Sequence, residues 1–217
     1  MKQRHLLIVL FALLSMVQAR ADVAINETNF PDDEFRFYVE ARFGDHEHGR
    51  SNVITDEKIA NTHYISISNL NIKNLKGIEF FTALKTLICR VTELTALDVS
   101  GCTALEKLEC FDNDQLTSLD VSGCTALKTL ICRGRTQLTA LDVSGCTALE
   151  KLECLNNDQL TKLDLSGCST LTNLDCGGNQ LTALDVSGCS TLTNLDCGGN
   201  QLTALDVSGC TALTELN

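Results

Sequence analysis

Residues 168–188 read CSTLTNLDCGGNQLTALDVSG, and residues 189–209 repeat the same 21 residues without a change. A catalytic pocket needs different side chains that converge on one point, and a verbatim copy does not supply them. A fixed period of about 20–50 residues is instead typical of chains in which one structural coil stacks on the next. The repeat therefore predicts a solenoid of parallel coils.

The period extends well beyond the verbatim copies, with leucines and cysteines recurring every 21 or 22 residues. One cysteine series follows a Leu-x pair, at Cys89, Cys110, Cys132, Cys154, Cys176 and Cys197. The other series follows Ser-Gly, at Cys102, Cys124, Cys146, Cys168, Cys189 and Cys210. The 22-residue coils carry one extra residue before Gln, as at Asp114 and Asp158. Because the insertion always occurs at this point of the period, we expect a loop there. Thr92 and Arg135 stand at the Asn position of two coils, where we expect looser turns.

The pattern L-x-x-L-x-C-x-x-N-x-L resembles the leucine-rich-repeat signature, with Cys in place of one Leu. Together with the LTxLDVSGC half, about residues 65–217 resemble the cysteine-ladder repeats of internalin-J-like proteins and of secreted repeat proteins from anaerobic gut and oral bacteria. The segment NFPDDEFRFYV…LKGIEFFTALKTLIC is similar to the one that precedes such repeats. The resemblance implies an α/β solenoid: a leucine-rich-repeat fold of roughly seven coils, with a parallel β-sheet on one face and a small α-helical N-terminal cap.

The N-terminus has the features of a secretory signal. Lys2 and Arg4 precede an apolar run at residues 6–17, and Ala19-Arg20-Ala21 forms a small-x-small cleavage site. The run is shorter than the roughly 20 residues that a membrane-spanning helix needs. We therefore predict a signal peptide at residues 1–21, a helical cap at 22–62 and the solenoid at 63–217, with export and no membrane insertion after cleavage.

Two short helices are predicted in the cap. The segment NFPDDEFRFYVEARF favours a helix with Asn29 as its capping residue and Pro31 in its first turn, and the second helix is expected from about Thr55. The apolar face of the first helix would consist of Phe35, Tyr38, Val39 and Phe43.

The charge balance narrows the range of partners. Removal of Lys2, Arg4 and Arg20 with the signal changes the formal net charge from −11 to −14. Nucleic acids and anionic lipids require clustered cations, so the charge argues against both as partners.

The even spacing of the cysteines favours two buried columns of free thiols. Stacked strands lie about 4.8 Å apart with parallel side chains, whereas a disulfide requires β-carbons about 3.8 Å apart that point toward each other. Disulfides are the alternative in an exported chain, and a zinc site is disfavoured because the gaps repeat uniformly. Buried thiols are inert, so no catalytic role is expected of them.

An aspartate recurs once per coil, at Asp98, Asp120, Asp142, Asp164, Asp185 and Asp206. Such a row suits either a line of cations or a set of turns in which each carboxylate accepts hydrogen bonds from its own Ser-Gly backbone. We favour the turns.

Side chains that alternate away from the buried leucines form the predicted binding face. Its candidate residues are Ile88, Arg90, Lys107, Glu109, Phe111, Ile131, Arg133, Lys151, Glu153 and Leu155. They follow a two-coil period, LKTLICR and then LEKLEC, and we expect the apolar members to be exposed beside Arg90 and Arg133. Exposed apolar and arginine side chains are typical anchors of protein interfaces. Duplication of a strand-forming pattern would produce the same residues without a binding role.

The segment GDHEHGRSNVITDEKIA resembles a degenerate calcium loop, with Gly49 at the sharp turn and Ile54 at the apolar position. The closing acid is replaced by Lys58, and the remaining acids do not complete a ligand set. We predict no metal and no other cofactor; whether this loop binds a metal stays open.

No motif of catalysis occurs in the sequence, and we predict that the protein is not an enzyme. By resemblance it is secreted or held at the bacterial surface, and it recognises a protein ligand such as a host surface protein. The alternative is a passive spacer, or a shortened remnant of a longer surface protein. The sequence stops at LTELN, partway through a coil, so we expect either a shortened copy or an end that pairs with another chain.

Overall fold

The computed structural model describes residues 21–217, so the predicted signal peptide lies outside the described residues except for Ala21. A small cap precedes the coils and contains two strands and two helices: β1 (Val23–Ala24), α1 (Asp33–Phe43), β2 (Val53–Ile54) and α2 (Asp56–Asn61). β1 and β2 pair antiparallel. Within residues 21–217, no helix is long and apolar enough to cross a membrane.

Helix α1 begins one turn later than the sequence suggests. Asp32 is the N-cap, and its carboxylate accepts a hydrogen bond from the Phe35 amide at 2.9 Å. The predicted cap, Asn29, lies in the preceding turn, where it donates to the Ala24 carbonyl at 2.8 Å. Both residue types cap helices well. The second oxygen of Asp32 accepts the Lys73 amide at 2.8 Å, so contact with the first coil selects Asp32.

Aromatic packing joins the cap to the solenoid. The rings of Phe43 and Phe81 have centroids 4.9 Å apart, and those of Phe30 and Phe80 are 5.7 Å apart. A β-carbon on Gly77, which has φ 105°, would lie 2.3 Å from the Phe30 ring. Only glycine therefore fits this junction.

The coils form a parallel solenoid whose main sheet has eight strands in the order β3-β4-β6-β8-β10-β12-β13-β14. Its strands are β3 (Tyr64–Ser66), β4 (Thr86–Ile88), β6 (Lys107–Glu109), β8 (Thr129–Ile131), β10 (Lys151–Glu153), β12 (Asn173–Asp175), β13 (Asn194–Asp196) and β14 (Glu215–Leu216). The opposite half of the coils contributes four further strands: β5 (Ala96–Asp98), β7 (Ser118–Asp120), β9 (Ala140–Asp142) and β11 (Lys162–Asp164). They form two parallel pairs, β5 with β7 and β9 with β11. The predicted leucine-rich-repeat solenoid with a helical cap is confirmed.

The core lies between the two halves of each coil and is filled by stacked columns of like residues. Leu87, Leu108, Leu130 and Leu152 are fully buried in one such column, in register across parallel strands. All twelve cysteines are buried and free, as the spacing predicted. Burial raises the pKa of the Cys89 and Cys132 thiols to about 12. Each thiol acts as a small apolar side chain in the stack.

A column of buried asparagines fixes the turn after the main sheet. The Asn113 Nδ2 donates to the carbonyl of Cys110 at 2.7 Å and to that of Cys89, one coil earlier, at 2.8 Å. The same double donation recurs at Asn157, Asn179 and Asn200. These bonds satisfy carbonyls that would otherwise be buried without a partner.

Two coils have no asparagine in this column, and the expectation that Arg135 takes the Asn position in one of them is wrong. Thr136 occupies that position. This coil has one extra residue after Cys132, which is accommodated because Gly134 and Arg135 both adopt positive φ. The Thr136 amide and hydroxyl both donate to Oδ1 of Asn157, at 3.2 and 2.7 Å. The Thr92 amide donates in the same way to Asn113 at 3.0 Å. These turns are therefore held by hydrogen bonds and are not loose.

The aspartates of the opposite half serve as turn acceptors, as predicted. Oδ1 of Asp98 accepts the Ser100 amide at 2.9 Å, and the five later aspartates accept the amide two residues ahead in the same way. The hydrogen bonds from Ser122 lower the pKa of Asp120.

Candidate protein-recognition face

The side of the main sheet that points away from the core presents three columns of side chains, and we call it the outward face. The first column holds Thr86, Lys107, Thr129, Lys151, Asn173 and Asn194. The central column holds Ile88, Glu109, Ile131, Glu153, Asp175 and Asp196. The third column lies two residues further along and holds Arg90, Phe111, Arg133, Leu155, Gly177 and Gly198. Backbone hydrogen bonds such as Asp112 N to Arg133 O continue the parallel pairing past the strands, so the third column is also in register.

The third column contains a stack of three side chains, which we call the Arg-Phe-Arg stack. The guanidinium carbons of Arg90 and Arg133 each lie 5.1 Å from the centroid of the Phe111 ring. Parallel register places these residues on three successive strands, so the two cations flank one ring. A cation within about 6 Å of a ring centroid is attracted by the ring, and the arrangement limits the motion of both arginines.

Ion pairs cross from the outer columns to the central glutamates. Lys107 Nζ lies 2.7 Å from a Glu109 oxygen, and the other oxygen lies 3.6 Å from Arg90 Nε. One period later, Lys151 and Arg133 approach Glu153 at 2.7 and 3.8 Å. The two-coil period of the sequence therefore produces the same charged unit twice on one surface.

The expected exposure of Ile88 is wrong. Its exposed fraction is only 9%, although it points away from the leucine core. Ile88 lies in register between Ser66 and Glu109 in the central column. Glu109 beside it is also 9% exposed. The side chains of Arg90 and Lys107 extend from the outer columns toward Glu109, so they cover the central column.

The other candidate residues remain accessible. Phe111, Ile131, Glu153 and Leu155 are half-buried. The side chains of Arg90 and Arg133 are 39% and 48% exposed, and those of Lys107 and Lys151 are 43% and 46% exposed. The structure thus brings Arg90, Phe111 and Arg133 together as one accessible group, with the buried Ile88 in the neighbouring column.

The character of the face changes toward the last coils. Asp175 and Asp196 continue the central column, and together with Asn173, Asn194 and the final strand they line a shallow depression of about 370 Å³. The Gly177 amide donates to Asp175 at 3.2 Å, and the Gly198 amide donates to Asp196 at 3.0 Å. Burial raises the pKa of Asp175. The outward face thus changes from Arg and Lys in its first coils to Asp and Gly in its last coils, a charge gradient that was not predicted from the sequence.

In the loop that resembles a calcium site, the oxygen atoms are already bound by side chains of the protein itself. Arg50 Nη2 lies 2.7 Å from Asp45, and His48 Nδ1 lies 2.8 Å from the same carboxylate. Lys58 Nζ donates to the Gly44 carbonyl at 2.6 Å. The hydrogen bonds from His48 and Arg50 lower the pKa of Asp45. In residues 21–217, no three His, Cys, Asp or Glu side chains are grouped so that they could hold a metal ion.

Comparisons with known proteins agree with this architecture. An internalin J from Listeria monocytogenes serotype 4b (strain F2365) is 38% identical over 71 residues, which are 33% of this chain and 7% of the relative. The solved functional domain of InlJ from Listeria monocytogenes, which includes a cysteine ladder, matches with a TM-score of 0.59 and 34% identity over 93% of this chain and 48% of that chain. The chain therefore spans less than half of either relative's length.

A second solved structure supports the fold alone. The internalin C2 of Listeria monocytogenes strain 4b F2365 matches with a TM-score of 0.63 and 20% identity, over 90% of this chain and 86% of that chain. Residues 30–176, more than half of the sequence, match the family described as the endo-beta-N-acetylglucosaminidase EndoS LRR domain. The chain belongs to this family of leucine-rich-repeat domains.

Proposed function

We propose that the protein is exported and recognises a protein ligand at the bacterial cell surface through the outward face of its main sheet. The Arg-Phe-Arg stack is the observation that carries the proposal. Aromatic and arginine side chains are enriched among the residues that dominate interface energies. Here they are fixed on a continuous parallel sheet, so they lose little freedom when a partner binds.

Several features support the remaining parts of the proposal. The N-terminal pattern of Lys2, Arg4 and the apolar run at 6–17 is typical of export. Solenoids present extended surfaces that are suited to macromolecular partners. The twelve thiols are buried in the core and pack as apolar groups, which supports a scaffold role for them.

A pull-down with a matched control tests this function. The purified protein would be immobilised and exposed to an extract of host epithelial surface proteins, beside a face variant carrying Arg90→Glu, Phe111→Ser, Arg133→Glu and Leu155→Ser. A control variant carries Lys76→Glu and Lys162→Glu, which make the same change in net charge at exposed positions outside the outward face. Circular dichroism would verify that all three are folded.

The expected result is a protein retained by the wild type and the control variant and lost from the face variant. Equal recovery from all three baits, or recovery from none, would contradict face-mediated recognition and favour the passive spacer. One observation already favours a spacer: Lys107 and Lys151 each form an ion pair within the molecule and do not require a partner. The lysine side chains of these pairs are still 43% and 46% exposed, so a partner can reach them.

A further inference from the structure

We propose that the ligand of the outward face is an extended, proline-rich acidic segment of a partner protein. Its carboxylates would lie three residues apart and bind Arg90 and Arg133. A proline ring between them would contact Phe111, and a cationic residue would follow beside Asp175. This inference rests on the proposed function and specifies the chemistry of its ligand.

Both guanidinium groups retain free donors. Their Nε atoms lie 3.6 and 3.8 Å from Glu109 and Glu153, which is too far for a hydrogen bond. No hydrogen bond from either guanidinium occurs within the described part of the chain. Because the Arg90 Nε is buried, a ligand would bind Arg90 through its Nη groups. A guanidinium presents a planar set of donors that matches a carboxylate with two parallel hydrogen bonds. The stack therefore offers two oriented sites for carboxylates.

The spacing of these two carboxylate sites matches one conformation of a peptide. Arg90 and Arg133 lie two strands apart, which corresponds to about 9.6 Å between neighbouring positions of a sheet. Their guanidinium carbons also lie within twice 5.1 Å of each other, because each is 5.1 Å from the same ring centroid. A polyproline II segment has three residues per turn and a rise of about 3.1 Å, so residues i and i+3 share one side at about 9.3 Å. A β-strand places like-facing residues at about 6.6 or 13 Å and does not match.

An aromatic ring separates the two cations. Phe111 is half-buried and lies midway between the guanidinium groups, where the middle of such a segment would pass. Proline-rich segments in this conformation bind aromatic surfaces and lose little entropy, because the helix is already formed. A proline at this point would thus add apolar contact between two charged anchors.

The polarity of the outward face changes along its length. Asp175 lies in the central column two strands beyond Ile131, beside Gly177, which follows Arg133 and Leu155 in the third column. Because Gly177 has no side chain, the third turn of the same segment would lie next to the Asp175 carboxylate. Asp196 lies in register beside Asp175, and both aspartates line the shallow depression. Charge complementarity therefore predicts the order acid, acid, base at every third residue.

Fluorescence anisotropy with synthetic peptides tests this inference. The probe is a labelled, end-blocked peptide containing EPPEPPK. One control peptide, EPPKPPE, has the same composition with the charge order permuted. A second, EPEPPPK, places the acids two residues apart. The protein variants are Arg90→Gln, Arg133→Gln and Phe111→Leu, with Lys162→Gln as the charge-matched control outside the face.

We expect saturable binding of EPPEPPK below about 1 mM and a loss of about tenfold or more for either control peptide. Arg90→Gln and Arg133→Gln should each weaken binding about tenfold, Phe111→Leu should weaken it less, and Lys162→Gln should leave it unchanged. No saturable binding, equal affinity for the permuted peptide, or insensitivity to both arginine variants would overturn the inference. If the pull-down still loses its partner from the face variant, only the assigned ligand class fails, and the proposed function stands.

A second copy of the chain could occupy the outward face instead of a peptide, because the face carries both positive and negative side chains. Sedimentation velocity of the wild type in the absence of peptide decides this. A monomer at tens of micromolar supports the peptide ligand. A dimer that dissociates on Arg133→Glu would assign the stack to self-association and overturn the inference.

Discussion

The side-chain amide of Asn157 donates a hydrogen bond to the carbonyl of Cys154, three residues before it, at 2.9 Å. The same nitrogen donates to the carbonyl of Cys132 in the preceding coil, also at 2.9 Å. One buried side chain therefore closes its own turn and attaches its coil to the preceding one. The same arrangement recurs along the column and holds successive coils in the register on which the outward face depends.

Replacement of Asn157 by alanine should destabilise the protein. It would leave the carbonyl of Cys132 and the amide of Thr136 unpaired, whereas the carbonyl of Cys154 would keep its bond from Asn179. Each buried group left unpaired costs about 1–3 kcal/mol, so we expect the free energy of unfolding to fall by at least about 2 kcal/mol. Urea unfolding provides the measurement, with the exposed neighbour Asp158→Ala as control. Equal effects of the two substitutions would contradict the role of the column.

The junction between cap and coils should not tolerate a side chain at Gly77. Alanine there would adopt an unfavourable positive φ and would place its β-carbon against the Phe30 ring. We expect Gly77→Ala to lower the free energy of unfolding by about 2 kcal/mol or more. Gly188→Ala is the matched control, because nothing lies within 4 Å of the added atom. A stability equal to that of the control would mean that the cap is not packed as described.

Val91 offers a site for stabilisation. This β-branched residue has φ 53°, a left-handed conformation that costs roughly 1–2 kcal/mol, and its side chain is half exposed. Val91→Gly should raise the free energy of unfolding by about 1 kcal/mol, because the relief of strain exceeds the entropy cost of glycine. Val91→Thr retains the branched side chain and should produce no gain. A loss of stability with glycine would show that Val91 contributes packing that outweighs its strain.

The buried thiols should make the fold sensitive to alkali. Below pH of about 8.5 they are neutral in both states, so they add no pH dependence. Above it, thiols of the unfolded chain ionise, whereas those with a pKa raised to about 12, such as Cys89 and Cys132, stay protonated in the fold. The unfolded state then binds fewer protons, and stability falls by up to about 1.4 kcal/mol per pH unit for each such thiol.

Urea unfolding at pH 8 and pH 10 measures this effect, and a Cys89→Ala, Cys132→Ala double variant should show a smaller decrease. Ellman's reagent provides an independent check. It should find the thiols unreactive in the folded protein and all twelve reactive after unfolding in urea without a reductant. Rapid labelling of the native state, or fewer than twelve thiols after unfolding, would mean exposed or disulfide-bonded cysteines.

Much of this architecture could be predicted from the sequence because the same pattern of buried and exposed residues recurs in every coil. The alternation around Leu108 and Cys110 determines which side chains are buried, and the constant step places each above its counterpart. The burial of Ile88 could not be predicted in this way, since it depends on how Arg90 and Lys107 bend over the central column.

Two further errors have related causes. Asn29 and Asp32 are equally good caps in isolation, and a tertiary contact from the Lys73 amide decides between them. The spacing from Cys132 in the other coils predicts Arg135 at the Asn position. This coil has one extra residue before that position, so Thr136 occupies it. In both cases the local signal was ambiguous, and contacts between coils resolved it.

Site-specific photocrosslinking tests the central claim most directly, because it reports which surface contacts a partner. A photoreactive amino acid would be placed at Leu155 on the outward face and, in a separate protein, at the exposed Ser122 in the opposite half of a coil. Both proteins would be irradiated in the epithelial surface extract, with and without excess EPPEPPK peptide. The account predicts a crosslinked protein from position 155 that the peptide suppresses, and none from position 122. Crosslinking from position 122 alone, or from neither position, would contradict recognition through the outward face.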